Sequence, residues 1–188
     1  MGVVEILDPV VPARAGGWKV DVSRGERNGR VSSEWFNRPD DERYLSLDDL
    51  WANVKGRSER SRSRVVVTVS PGTPCRVSLA DAEVGETVVL VNYEHQPAKS
   101  PYRSSHAIFV RKGVQQAHPA EDEVPKVMLS RLISLRLFDH DDMMVGADVV
   151  PGTELKDAIV QAFTNRGVSY LHLHYAKPGC FAASVKRA

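Results

Sequence analysis

Cysteine is scarce in this 188-residue chain, with Cys75 and Cys180 the only two. So small a supply excludes the dense disulfide framework of a small secreted domain and makes a reducing, intracellular setting the expectation. An excess of charge of one sign is missing too: 25 Lys and Arg stand against 24 Asp and Glu, a formal net charge of +1. No global field therefore draws the chain to nucleic acid or to an anionic membrane, and any electrostatic attraction has to be local. No apolar run approaches the roughly 20 residues that span a bilayer, and the N-terminus shows no basic segment leading into an apolar one, so the expectation is a soluble cytoplasmic protein with no membrane partner. Ile6 stands where a myristoylation signal wants Ser or Thr. Also absent are G-x-G-x-x-G, a Walker loop, a G-x-S-x-G elbow, H-E-x-x-H and C-x-x-C. Nucleotide-dependent and common hydrolase mechanisms thereby lose their usual residues.

What is present falls into two parts of different texture. Residues 1–63 form a loosely patterned appendage in which short apolar patches alternate with Pro, Gly and Arg. One helix stands out there, over about 46–60: Ser46 can cap it, Asp48 and Asp49 sit at the positive end of its dipole, and Leu47, Leu50, Trp51 and Val54 make one apolar stripe. It runs into an Arg/Ser-rich linker carrying Lys55, Arg57, Arg60, Arg62 and Arg64. Cations suit a helix C-terminus and a solvated linker, and they also suit phosphate; without interleaved aromatics they make a weak nucleic-acid signal.

Residues 64–188 read as a folded domain. Runs such as "ETVVLVNYE", "HAIFVRK", "LISLRLF", "MMVGADVV", "VSYLHLHYA" and "CFAASVKR" are β-branched or aromatic and bounded by turn formers, so each predicts a strand, as do "RVVVTVS" and "CRVSL". One main helix interrupts them at about 153–166, with Thr153 as its cap, Leu155, Ile159, Val160 and Phe163 as its buried face, and Gly167 placed for a left-handed stop. A shorter helix fits "VPKVMLSR", and "FDHDDM" fits a hairpin turn rather than a cation loop, because it lacks EF-hand spacing. The order of elements predicts an α+β fold, a mostly antiparallel sheet with the main helix packed on one face.

Residues from about 71 to 188 resemble a bacterial domain of unknown function, number twelve-oh-three, through "PCRVSLADAEVGE", "VNYEHQPAKSPYRSSHAIFVR", "DMMVGADVV" and "HLHYAKPGCFAASVKRA". The resemblance implies no activity, cofactor or catalytic residue. Residues of about 20–65 are instead similar to the opening of a phage- and plasmid-associated family of unknown function, number nine-three-two, which implies a fusion joined between Arg64 and Pro71. An edge strand or helix of the second domain would then come from foreign sequence.

Three groups of residues could carry chemistry. In "YLHLHYAKPGC", strand alternation puts Tyr170, His172 and His174 on one face and Leu171, Leu173 and Tyr175 on the other, and a turn at "AKPG" would return Cys180 beside the histidines. Imidazole and thiolate are zinc ligand types, and Cys75 or His95 could complete a set with His172, His174 and Cys180. The spacing is no recognised zinc signature, so a metal site, a metal-free polar pocket and ordinary core histidines all stand open, and no cofactor is required. Cys180 beside a histidine could also act as a nucleophile; buried thiols and a disulfide with Cys75 are its other readings. The loop and strand starts around "HQPAKSPYRSSH" gather His95, Tyr102, Arg103, Ser104, Ser105 and His106, which suit either a ligand loop or a structured Ser-Pro turn.

Two functions of different class follow. One is a domain that binds a small anionic ligand between residues 92–106 and the His172/His174 strand, holding it with Arg103 and the serines and using a histidine for proton transfer if it is catalytic. The other is a non-enzymatic accessory protein of a phage or plasmid element, acting through protein contacts or weak nucleic-acid binding by the Arg/Ser tail.

Overall fold

The structure is a computed structural model that describes residues 17–21, 62–111 and 113–188. The helix expected over 46–60, with Lys55, Arg57 and Arg60, lies outside them. In chain order the described elements are β1 (Trp18–Asp21), β2 (Arg62–Val66), β3 (Thr87–Gln96), β4 (Ser104–Arg111), a short α1 (Lys126–Leu129), β5 (Leu132–Phe138), β6 (Met144–Pro151), α2 (Leu155–Thr164), β7 (Tyr170–Tyr175) and β8 (Phe181–Arg187). They build a five-stranded sheet in the order β1-β8-β7-β5-β6 and a three-stranded sheet in the order β2-β3-β4. Every pairing of these strands is antiparallel, as the α+β reading requires.

The period of two in β5 and β7 decides where the core goes. Ile133 and Leu135 of β5, Leu171 and Leu173 of β7 and Val185 of β8 share one face of the large sheet and pack with Leu155, Ile159 and Phe163 of α2. Each such side chain removed from water stabilises the fold by roughly 1.5–3 kcal/mol. The opposite face carries Arg136, Phe138, Tyr170, His172 and His174, and β3 and β4 lie over it: Tyr93 and His95 approach Phe181, Tyr102 approaches Phe138, and the Gln96 amide donates to the Tyr170 hydroxyl over 2.7 Å. All six residues of β7 are buried because both faces of that strand are covered.

Three local expectations change. "CRVSL" is a turn, with Leu79 at φ 47°, and only Cys75 makes an isolated parallel bridge to Phe109. Thr153 does not cap α2; a 3-10 turn, Gly152–Glu154, leads into the helix, and the Glu154 cap position makes no side-chain bond. The reason is close packing: the Gly152 N–H donates to the Arg131 carbonyl over 2.7 Å, and a Cβ on Gly152 would come within 1.9 Å of the Met128 carbonyl oxygen. Gly167 is not left-handed. The chain leaves α2 through Asn165 in an extended conformation, and the Asn165 side-chain oxygen accepts the Gly167 N–H.

β1 lies ahead of position 64 and β2 straddles it, and each is an edge strand of its sheet. β1 runs beside β8 with Trp18 opposite Arg187 and Val20 opposite Val185, and both Trp18 and Val20 enter the main core. β2 begins at Arg62, so Arg62 and Arg64 lie in a strand paired with β3 rather than in a linker. No helix among the described residues is long and apolar enough to cross a membrane.

Candidate metal centre

The centre is assembled from three strands by register. β7 pairs with β5 so that His172 lies opposite Arg136 and His174 opposite Ser134, and it pairs with β8 so that His174 meets Phe181. The third strand supplies its residue by an irregularity. Glu94 pairs with Ser105 and Gln96 pairs with Ser104, which leaves His95 as the extra residue of a β-bulge. A bulge re-aims side chains that strict alternation would send elsewhere, and here two successive residues, His95 and Gln96, are both buried.

His95, His172 and His174 are at most 1% exposed, and one ring nitrogen from each lies within 4.8 Å of the others. The ring of His95 stacks on Phe181, centroids 4.6 Å apart, and meets His172 and His174 edge-on at 5.3 and 5.1 Å. His95 Nε2 lies 2.7 Å from His106 Nδ1 and 3.2 Å from Ser104 Oγ, so one side of that ring is held by hydrogen bonds. His174 Nδ1 lies 3.0 Å from the Gly179 carbonyl oxygen. A carbonyl only accepts, so Nδ1 carries the proton and Nε2 keeps its lone pair. That Nε2, and Nδ1 of His95, are buried with no hydrogen-bond partner among the described residues. Leaving a buried polar atom unpaired costs about 1–3 kcal/mol, a cost that ligation of an ion would remove.

Electrostatics keep these rings neutral. Burial, helped by the neighbouring His172, His174, His106 and Arg136, pushes the His95 pKa down to about 2. Burial likewise takes His174 down to about 3 against the opposing bond to Gly179, with Arg136, His106 and Arg76 adding to the fall. His106 is lowered by burial and by Arg136. Around neutral pH His95 and His174 are therefore uncharged and each keeps a ring lone pair, the state that metal binding needs.

The other residues singled out from the sequence are distributed differently. Cys75 and Cys180 are both free thiols, and neither belongs to the histidine group. Cys75 is buried with Val77, Ile108 and Val110 and accepts the Arg111 N–H. Cys180 faces a guanidinium instead of an imidazole: Arg76 donates to its Sγ over 2.8 Å, and also to the carbonyls of Phe181 and Pro74. Around the loop, alternation along β4 separates the candidates. Ser104 and His106 turn inward to His95, whereas Ser105 is exposed. Arg103 is exposed and paired with Glu94 over 2.7 Å, and Tyr102 leans on Phe138. Sequence reasoning missed Arg136, on the same face as the histidines and half-buried. Its signal was present in "LISLRLF": Ser134 and Arg136 alternate with Ile133, Leu135 and Leu137, so the middle of the second face of β5 is polar.

The family described as protein of unknown function (DUF1203) matches over residues 72–187. That span holds β3 to β8 with every histidine of the cluster, while β1 and β2 precede it. No family match supports the resemblance of residues 20–65 to a second family. No curated protein and no solved structure matches the chain.

Proposed function

This chain belongs to the DUF1203 family of proteins of unknown function, and on the site it builds we propose that it binds one divalent transition-metal ion, zinc by ligand type, through His95, His172 and His174 and uses that ion on a small ligand. The observation that carries the reading is the convergence of three buried imidazoles within 4.8 Å, one of them with its tautomer fixed by a backbone carbonyl. Ligating histidines characteristically donate their other ring nitrogen to such a partner. Nitrogens that share a tetrahedral zinc at about 2.05 Å lie about 3.3 Å apart, so small side-chain shifts close the set.

Three protein ligands are the pattern of a zinc site that keeps a position open for water or ligand, whereas purely structural sites are closed by four. An ion held there would polarise a bound oxygen or lower the pKa of bound water. This chain's own part is to hold the His95 and His174 imidazoles neutral, shield all three rings between two sheets and anchor His95 through Ser104 and His106.

The test is metal analysis of the full chain purified without an affinity metal, followed by zinc calorimetry on the wild type and on His174→Ala. The expected result is about one equivalent, with affinity reduced at least about tenfold in the variant. Near-ultraviolet dichroism shows whether the variant keeps its packing. A folded wild type that takes up no zinc at micromolar concentration, or a folded variant that binds as tightly, refutes the assignment.

A further inference from the structure

We infer that Arg136 is the anion receptor of this centre, so that the ligand taken between the two sheets is a compact oxyanion, carrying a carboxylate or phosphate group. The inference deepens the metal reading and rests on it for the second positive charge, but its own observations are separate. Arg136 lies directly opposite His172 in the β5–β7 register and therefore on the histidine face. It is half-buried.

No hydrogen bond or ion pair is made by Arg136 among the described residues. The other shielded arginines differ in this respect. Arg111 is bound to Glu86, Arg131 to Asp81, and Arg76 to two carbonyls and a thiol. A guanidinium offers five donors in a planar fork that matches a carboxylate or phosphate with two parallel bonds. Withdrawing such a group from water without a partner is unfavourable. The fold tolerates this at Arg136 while satisfying Arg76, Arg111 and Arg131, which is the arrangement expected where the missing partner is a ligand.

The charge balance leads the same way. The histidine group contains no carboxylate, so a divalent ion on three neutral imidazoles would add two positive charges beside Arg136. Like charges brought together in a partly dry site repel strongly. An oxyanion shared between the ion and the guanidinium relieves both. Arg103, in the loop before β4, is exposed and paired with Glu94.

The experiment uses the full chain loaded with cobalt(II), whose visible spectrum reports on the ion's ligands, titrated with inorganic phosphate and with acetate, and with acetamide as the neutral counterpart. Wild type, Arg136→Gln and Arg136→Lys are compared after the cobalt stoichiometry of each has been measured. The expected result is a spectral response to phosphate and acetate and none to acetamide. In Arg136→Gln cobalt uptake is kept, and the apparent anion affinity falls about ten- to a hundredfold; Arg136→Lys falls between. Equal anion affinity in the wild type and Arg136→Gln overturns the inference, as does a cobalt-loaded wild type that responds to neither anion. If the chain takes up no cobalt, the metal reading fails by itself, and Arg136 is then tested on the metal-free chain by thermal melting. Phosphate raising the midpoint of the wild type but not of Arg136→Gln upholds the receptor, and no shift in either overturns it.

Discussion

Acid should unfold the metal-free chain earlier than its carboxylates alone would allow. His95 and His174 have pKa values near 2 and 3 in the fold because burial disfavours their charged forms, while in the unfolded chain both return to about 6.5. A group whose folded pKa is depressed contributes its stability above the unfolded value and loses it as the pH falls toward the folded one. Between about pH 5.5 and 4 the unfolded state therefore holds close to two more protons than the native state, and stability drops by about 2.7 kcal/mol per pH unit, with a shallower slope up to pH 6.5. From pH 6 to 4.5 the loss is about 4 kcal/mol, a large part of the roughly 5–15 kcal/mol that holds a domain together. His106, also lowered, adds to it. Glu86 is lowered from 4.5 by its bond to Arg111 and acts only below that value, so the window above pH 4.5 belongs to the histidines. Urea unfolding of the metal-free chain at half-unit steps from pH 7.5 to 4.5, followed by dichroism, measures the slope. A free energy that stays flat across pH 6.5 to 4.5 refutes the reasoning, since it would mean that water or a counter-charge reaches these rings.

Other perturbations separate the fold from the site. Ile159→Ala opens a void between α2 and the large sheet and should lower stability by about 2–5 kcal/mol in urea melts while the metal stoichiometry stays at one; a loss under about 1 kcal/mol would show that the helix is loosely seated. Gly152→Ala drives a Cβ into the Met128 carbonyl and should cost about 1–3 kcal/mol, so an unchanged melting midpoint would contradict the close approach. Arg103→Ala removes an exposed pair with Glu94 and should change stability by less than about 1 kcal/mol and leave phosphate binding unaltered; a large loss of anion affinity there would shift the receptor from Arg136 to the loop.

How far the sequence could be read depended on whether the information was local. The period of two in "YLHLHY" is enough to put His172 and His174 on one face and Leu171 and Leu173 on the other, and the turn before Cys180 is written in Lys177, Pro178 and Gly179, where Gly179 adopts φ 73°. The main helix is legible from Leu155, Ile159 and Phe163, but its start is not, because the packing of Gly152 on Met128 overrides the capping preference of Thr153. The geometry around His95 depends on a bulge, and the addition of one unpaired residue to a strand has no signature in "NYEHQ". Cys180 lies beside the histidine strand in sequence, yet its sulfur is engaged by Arg76, about a hundred residues upstream. Nor do residues 18–21 announce that they pair with β8 at the other end of the chain. Non-local register is the common cause of these gaps, since a strand's own residues specify which face is buried but not which partner covers it.

The most direct measurement is zinc-edge X-ray absorption on the zinc-loaded full chain. The account predicts three imidazole nitrogens at about 2.0–2.1 Å, one further oxygen at a similar distance, and no sulfur. A sulfur scatterer at about 2.3 Å would bring Cys180 or Cys75 into the site and contradict the three-histidine centre, and so would fewer than three imidazoles.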